Sequence, residues 1–230
     1  MNRLILSLSI LFLTLNVFSQ PGLDWYLMLG EQSDEKANIC ELSDNSLLIA
    51  TTAGYYTYGP APNDYMGELD VVFMKYDTQG QLIWQEFFGS TLTEEVYDVT
   101  AHPDGGFIAC GTYSGNDNDF LGLNPNGTID VWIAKFDSSG SAEWLKTINT
   151  TSFAFVYACA VGKYGNIYII GAGDMYPYRK DLGEATFIKL DSSGGFVWLK
   201  RYGGSGDEIL SGITVLSNGN IALAGLSNSS

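Results

Sequence analysis

Short apolar runs separated by tight polar turns pattern this chain. The segment Asp130–Trp144, DVWIAKFDSSGSAEW, has counterparts at Asp70–Trp84, DVVFMKYDTQGQLIW, and Glu184–Trp198, EATFIKLDSSGGFVW. Ahead of each turn the residues alternate between two faces, and both faces are apolar. Val71 and Phe73 oppose Val72, Met74 and Tyr76; Val131 and Ile133 oppose Trp132, Ala134 and Phe136. A strand apolar on both faces is buried on both faces, so each run predicts a strand in a sheet held between two neighbouring layers. The turns Asp77–Gly80, Asp137–Gly140 and Asp191–Gly194 share the form D-x-x-G. The Asp side chain accepts from the turn's own amides and Gly takes a positive φ, which predicts a hairpin. Lys75, Lys135 and Lys189 stand two residues before the turn. Their stems are expected to cover apolar surface and release the ammonium to water.

The pattern recurs along the chain. Trp25, Trp84, Trp144 and Trp198 are spaced 59, 60 and 54 residues apart, and five residues after each stands Gly30, Gly89, Asn149 or Gly203. Further runs follow at 47–51, 107–111, 167–171 and 221–225, each behind a turn such as Asp104-Gly105 or Asn218-Gly219, strong hairpin signals. Another strand precedes each of these turns: Ala37 to Leu42, Val96 to Ala101, Val156 to Val161 and Leu210 to Leu216. One period thus holds four strands, termed a to d. In the central period these are Val96–Ala101, Phe107–Thr112, Asp130–Phe136 and Ala142–Ile148. Tandem four-stranded antiparallel units, apolar on both faces, predict an all-β fold of β-propeller blades. With a lone strand d at Leu23–Leu29, three full periods and then a and b, the propeller is expected to be incomplete. About three full blades and a partial blade imply a fragment of a longer protein. The repeat units run over 31–88, 90–148, 150–202 and 204–230.

Taken together these residues form a recognisable series. W-x(4)-G is followed by an acidic pair, then by a Gly-rich turn before an apolar strand, then by D-x-W-x-x-K-x-D-x-x-G-x-x-x-W. The series resembles the β-propeller repeat of secreted bacterial proteins, the SBBP type, across nearly all of residues 22–226. The resemblance implies a large exported or cell-surface protein with many blades and no assigned activity. The third period departs from the pattern: Ala154 and Phe155 stand where the others have Asp34-Glu35, Glu94-Glu95 and Asp207-Glu208.

The first 19 residues stand outside the repeat. Arg3, the apolar run Leu4–Phe18 and the small residues Val17 and Ser19 read as a signal peptide, leaving 20–230 as the repeat domain. This predicts secretion or surface display. No other run approaches the length of a membrane span, so membrane insertion is not expected. The chain carries 26 Asp and Glu against 11 Lys and Arg, a formal net charge of −15. That charge repels phosphate backbones and excludes nucleic acid as a natural partner. Cys40, Cys110 and Cys159 all fall in expected strands, and no two share a repeat position. An odd number cannot pair fully, and buried free thiols are the expected state. His102, the sole histidine, is expected in a surface turn.

Function is the least legible feature. In a blade, the a–b and c–d turns share one face of the disc, and the b–c and d–a loops share the other. The b–c loops, 54–69, 113–129 and 172–183, are the long ones, and long loops on a rigid frame carry binding residues. Asp64, Tyr65, Asp117, Asp119, Asp174, Tyr176 and Tyr178 are therefore the candidate ligand-binding residues. Tyr rings beside carboxylates suit a glycan. Asn116, Asp117 and Asp119 offer clustered oxygens for Ca²⁺, the one cofactor considered. The same residues also serve as ordinary turn residues, and the acidic pairs as turn caps. No nucleophile elbow, phosphate loop or zinc spacing is present. The expectation is a non-catalytic secreted binding scaffold, with a glycan or a surface protein as partner and further blades in the same or another chain. The alternatives are a carbohydrate-active hydrolase or lyase using carboxylates on the long-loop face, and a structural spacer.

Overall fold

The computed structural model describes residues 36–54, 66–123, 129–147, 155–172 and 184–228. Fourteen strands and one 3₁₀ turn make up these residues. The first sheet holds β1 (Ala37–Glu41), β2 (Leu47–Gly54), β3 (Leu69–Tyr76) and β4 (Leu82–Phe88). The second holds β5 (Glu94–Ala101), β6 (Phe107–Tyr113), β7 (Asp130–Phe136) and β8 (Ala142–Thr147). The third holds β9 (Phe155–Val161), β10 (Ile167–Ala172), β11 (Ala185–Leu190) and β12 (Phe196–Tyr202). A two-stranded sheet of β13 (Glu208–Val215) and β14 (Ile221–Ser227) follows. Each sheet is an antiparallel meander in chain order. The expected four-strand period is thus present, and β7 has the bounds read from the sequence.

Hairpin chemistry sets the registers. Asp77 Oδ1 accepts from the amides of Gln79 and Gln81 at 2.9 and 2.8 Å. Asp137 Oδ1 does the same for Ser139 and Ser141, and Asp191 Oδ1 for Ser193 and Gly195. Gly80, Gly140 and Gly194 close these turns at φ of 77°, 88° and 74°, a region closed to most side chains. Strand b then pairs with strand c at one relative position throughout: Leu47 opposite Tyr76, Phe107 opposite Phe136 and Ile167 opposite Leu190.

The sheets stack through their faces, in a propeller-like arrangement. First strands of successive sheets lie side by side, β1 by β5, β5 by β9 and β9 by β13. One core fills the junction of the first and second sheets: Leu48, Val71, Phe73 and Phe88 meet Val96, Phe107, Trp132 and Phe136. A second core joins the second and third sheets, where Ile108, Val131 and Ile133 meet Val156, Ile167, Ile169 and Ile188. The alternation read from the sequence explains this division. On β7, Val131 and Ile133 face one neighbour, while Trp132, Ala134 and Phe136 face the other. Burying both faces of a sheet at about 25 cal/mol per Å² of apolar surface is what makes one blade depend on the next.

Two expectations are corrected on the tight-turn side. Lys75 and Lys135 do not release their charge to water; each is 5% exposed. Lys75 Nζ lies 2.8 Å from Asp44 Oδ2, and Lys135 Nζ lies 2.5 Å from Asp104 Oδ2 and also pairs with Glu143. The a–b turn places a carboxylate over the end of strand c, so the ammonium is neutralised where it is buried. At the third sheet the turn carries Tyr164 in that place, and Lys189 instead stands 5.7 Å from the Tyr168 ring centroid. His102 is buried rather than on a surface turn. Its Nδ1 lies 2.7 Å from Asp104 Oδ1, and its Nε2 would be 2.9 Å from a Cβ on Gly165 of the next sheet. The a–b turn of the next sheet covers the ring, and its Gly165 lies 63 residues further along the chain.

Candidate functional site

The b–c loop of the second sheet and the d–a loop before it meet on one face, as expected for the long-loop face. Asn118–Phe120 forms a single 3₁₀ turn, entered through Asn118 at φ 46°. Phe120 anchors it, fully buried against Phe88 and Tyr113 at ring centroid distances of 5.1 and 5.0 Å. Around that anchor the polar residues fasten the two loops together. Asp117 accepts from the Thr91 amide at 2.8 Å and the Thr91 hydroxyl at 2.7 Å. Asp119 Oδ2 accepts from the Gly89 amide at 3.0 Å. The Thr91 hydrogen bonds hold the Asp117 carboxyl below the ordinary carboxylate range, whereas burial lifts that of Asp119 above it.

The predicted ligand residues divide accordingly. Asp117 and Asp119 are brought to one loop junction, but their carboxylates turn to different partners, Thr91 and Gly89. Asn116 is exposed beside them. Asp64, Tyr65, Asp174, Tyr176 and Tyr178 lie outside the described residues. Among the described residues no group of three or more His, Cys, Asp or Glu side chains is placed to hold a metal ion.

Below this junction two carboxyls converge that the sequence reads separately, Glu94 as a turn cap in an acidic pair and Asp70 as the residue that opens strand c and accepts from neighbouring backbone amides. Glu94, fully buried at the start of β5, accepts from the Ser90 amide at 2.5 Å and the Ser90 hydroxyl at 2.7 Å. Asp70, fully buried at the start of β3, accepts through Oδ2 from the amides of Met66 and Gly67 at 2.9 and 3.2 Å. Among the described residues Asp70 Oδ1 has no hydrogen-bond partner. Both carboxyls converge on Gly89: a Cβ there would stand 2.0 Å from Asp70 Oδ1 and 3.1 Å from Glu94 Oε2. Burial raises the Asp70 and Glu94 carboxyls above their ordinary range. For Asp70 the amides of Met66 and Gly67 work against that rise, and the Asp119 charge adds to it.

The arrangement repeats at the third and fourth sheets. A Cβ on Gly203 would stand 2.8 Å from Glu184 Cγ and 3.4 Å from Glu208 Oε2. Glu208 accepts from the Gly204 amide at 2.9 Å and the Ser227 hydroxyl at 2.8 Å. The acidic residues at 94 and 208 therefore cap the d–a loop, the turn-cap role foreseen for the acidic pairs. A spacing signal was available: Asp70, Gly89 and Glu94 stand 19 and then five residues apart, as do Glu184, Gly203 and Glu208. In the middle period the same spacing gives Asp130, Asn149 and Ala154. The period without the Glu is also the one without the Gly.

The thiols form the other buried polar group. All three cysteines are free, with Cys110 and Cys159 buried. Asp98 Oδ2 accepts from the Cys159 amide at 2.8 Å, tying β5 to β9. Hydrogen bonding to Cys110, followed by burial, pushes the Cys159 thiol far above its ordinary range, which disfavours the thiolate. On the tight-turn face a groove of about 580 Å³ opens between the turns Gly162–Asn166 and Leu216–Gly219, lined by Tyr164 and Tyr168.

No protein-family model and no curated protein matches the chain. Solved structures do. A crystal structure of an ACO/RPE65 chimera is 13% identical with a TM-score of 0.45, over 83% of this chain and 49% of that one. Cobalt-substituted Synechocystis ACO is 13% identical with a TM-score of 0.47, over 87% and 52%. A single-residue variant of Synechocystis apocarotenoid oxygenase gives 13%, 0.45, 83% and 49%. The chain spans about half the length of these proteins. The expectation of a non-catalytic binding scaffold is corrected here. It rested on the lack of a catalytic motif or a selected carboxylate pair in the sequence, and the solved structures that resemble this chain include ones named as oxygenases.

Proposed function

We infer that this chain is an assembly module. It supplies blades to an exported propeller of the kind its repeat resembles, and the ring is completed by further blades in the same or another chain. Arg3 followed by the apolar run Leu4–Phe18, read from the sequence as a leader, supports export. The observation that carries the reading is the state of β14. Its counterparts β2, β6 and β10 each pair on both edges, whereas β14 pairs only with β13 among the described residues. Its side chains are mostly exposed, Leu226 to 77%. An open strand edge with apolar side chains is a template for another strand.

A graft tests this. Residues 114–147 carry the second sheet's own b–c loop, strand c, turn and strand d; placed after Ser227, they follow β14 as they naturally follow β6. Deuterium uptake in Ile221–Ser227 should then slow to the rate of Phe107–Tyr113, and Tm should rise. Uptake as fast as in the natural chain sinks the reading.

A further inference from the structure

Successive sheets are joined by a contact that repeats. At the first junction, Trp84 on β4 receives the turn Ser138–Gly140. The indole Nε1 donates to Ser138 O at 3.3 Å, and Lys75 Nζ donates to the same carbonyl at 3.4 Å. A Cβ on Gly140 would stand 3.1 Å from the ring atoms Cη2 and Cζ3 of Trp84. At the second junction, Trp144 on β8 receives the turn Ser193–Gly194. Lys146 stands 5.3 Å from the Trp144 ring centroid and donates to Ser193 O at 2.9 Å. A Cβ on Gly194 would stand 3.0 Å from Cη2 and Cζ2 of Trp144. The glycine of D-x-x-G thus has two tasks, the left-handed turn and close approach to an indole face.

The third sheet presents the same receiving half. Trp198 on β12 packs against Phe187 at 4.9 Å, and Lys200 stands 5.1 Å from the Trp198 ring centroid, as Lys146 does over Trp144. Among the described residues no turn lies on this ring. The strand order places the missing turn: in the second and third sheets the c–d hairpin adds strand c to strand b and lays its tip on the preceding sheet's Trp.

We propose that Trp198 and Lys200 form the docking face for a β-hairpin with a D-x-x-G turn, whose first strand adds to the open edge of β14. The proposal rests on the assembly reading above and names the partner's chemistry. Strand addition supplies main-chain hydrogen bonds, and the turn supplies specificity. Glycine is favoured at the tip, because the turn needs a positive φ there and a Cβ would crowd the indole at 3.0–3.1 Å. Lys200 takes the carbonyl two residues after the Asp, as Lys146 takes Ser193 O. The exposed chains of Phe196 and Val197 on β12 continue the apolar surface beside the ring.

The test adds a synthetic peptide of residues 130–147, the chain's own c–d hairpin, to the full chain. Binding is followed by anisotropy of the labelled peptide, and β14 by deuterium uptake. Saturable binding is expected, with slowed uptake in Ile221–Ser227. Affinity should fall about tenfold or more in Trp198→Ala, and likewise for a peptide carrying Gly140→Val. Lys200→Ala should weaken it less, and Tyr164→Ala, in the tight-turn groove, not at all. Circular dichroism confirms that each variant keeps its sheet. Protection of β14 with unchanged affinity in Trp198→Ala overturns the proposal and leaves the assembly reading standing. Absence of binding overturns it too, and the graft then judges the reading by itself. Self-association of the chain alone, lost in Trp198→Ala, would make a second copy the occupant. Binding that appears only after residues 20–35 are removed would assign the place to the Leu23–Leu29 segment. Either result overturns an independent hairpin as the occupant.

Discussion

Asp70 Oδ1 occupies the space that a side chain on Gly89 would need: a Cβ there would be 2.0 Å away. The glycine is kept small by a carboxylate from the neighbouring strand of its own sheet, with the first Glu of the next sheet on its other side. G89A should therefore cost about 1–3 kcal/mol, the range for forcing an atom into a packed site. G203A should cost less than about 1 kcal/mol, because Glu184 there is half exposed and can swing away. Chemical denaturation of the two variants measures the difference directly.

Among the described residues Asp70 is also a buried carboxyl with an unpartnered oxygen, and Glu94 and Asp119 lie near it. Its raised folded-state value means that the fold prefers the protonated form. The stability so contributed is complete below the ordinary carboxylate range and is lost as pH rises through the folded value. D70N removes that loss and offers an amide donor toward Glu94. It should stabilise the chain by about 1 kcal/mol at pH 8, with the gain closing as pH falls toward 4. Thermal unfolding across that range checks the trend; a gain that persists in acid would contradict it.

Asp44 has the opposite sign. The hydrogen bond from Lys75, with one from Ser46, lowers its carboxyl to about 2. Its stabilisation is present above the ordinary carboxylate range and is lost as pH falls through that lowered value. D44N should be less stable than the wild type at pH 6, with the difference much reduced at pH 2 and closing below it. Because Asp44 is half exposed, solvent screening keeps the difference within about 1 kcal/mol. Urea midpoints at the two pH values decide it.

Phe88 sits where two sheets and a loop meet, with ring centroids of Phe120, Trp132 and Phe136 at 5.1, 5.4 and 5.1 Å. F88A should cost about 3–5 kcal/mol. Its effect should reach past the first core: with Phe120 loosened, Thr91 should lose protection from hydrogen exchange as its bond to Asp117 fails. Protection unchanged at Thr91 would show that the loop holds without its aromatic anchor.

Strands and turns were legible because their causes are local. An Asp accepting from amides two and four residues ahead, and a Gly at positive φ, can be recognised within five residues of sequence. Two apolar faces on one strand announced two neighbours, and Trp132 and Ile133 indeed pack into different cores. The fates of Lys135 and His102 were not legible in the same way. Each depends on which turn or strand lies across a junction, and those partners come from elsewhere in the meander or from the next one.

The sequence by itself determined the period of the blade, the register of its hairpins and the two-sided burial of its strands, since each follows from the chemistry of a few consecutive residues. Tertiary structure alone decided which polar groups are neutralised and which are left short of a partner: Lys75 on Asp44, Asp117 on Thr91, and Asp70 against Gly89 with one oxygen unpartnered among the described residues. The physical reason is that these pairings form across turns and between sheets, where stacking rather than chain order sets the distances.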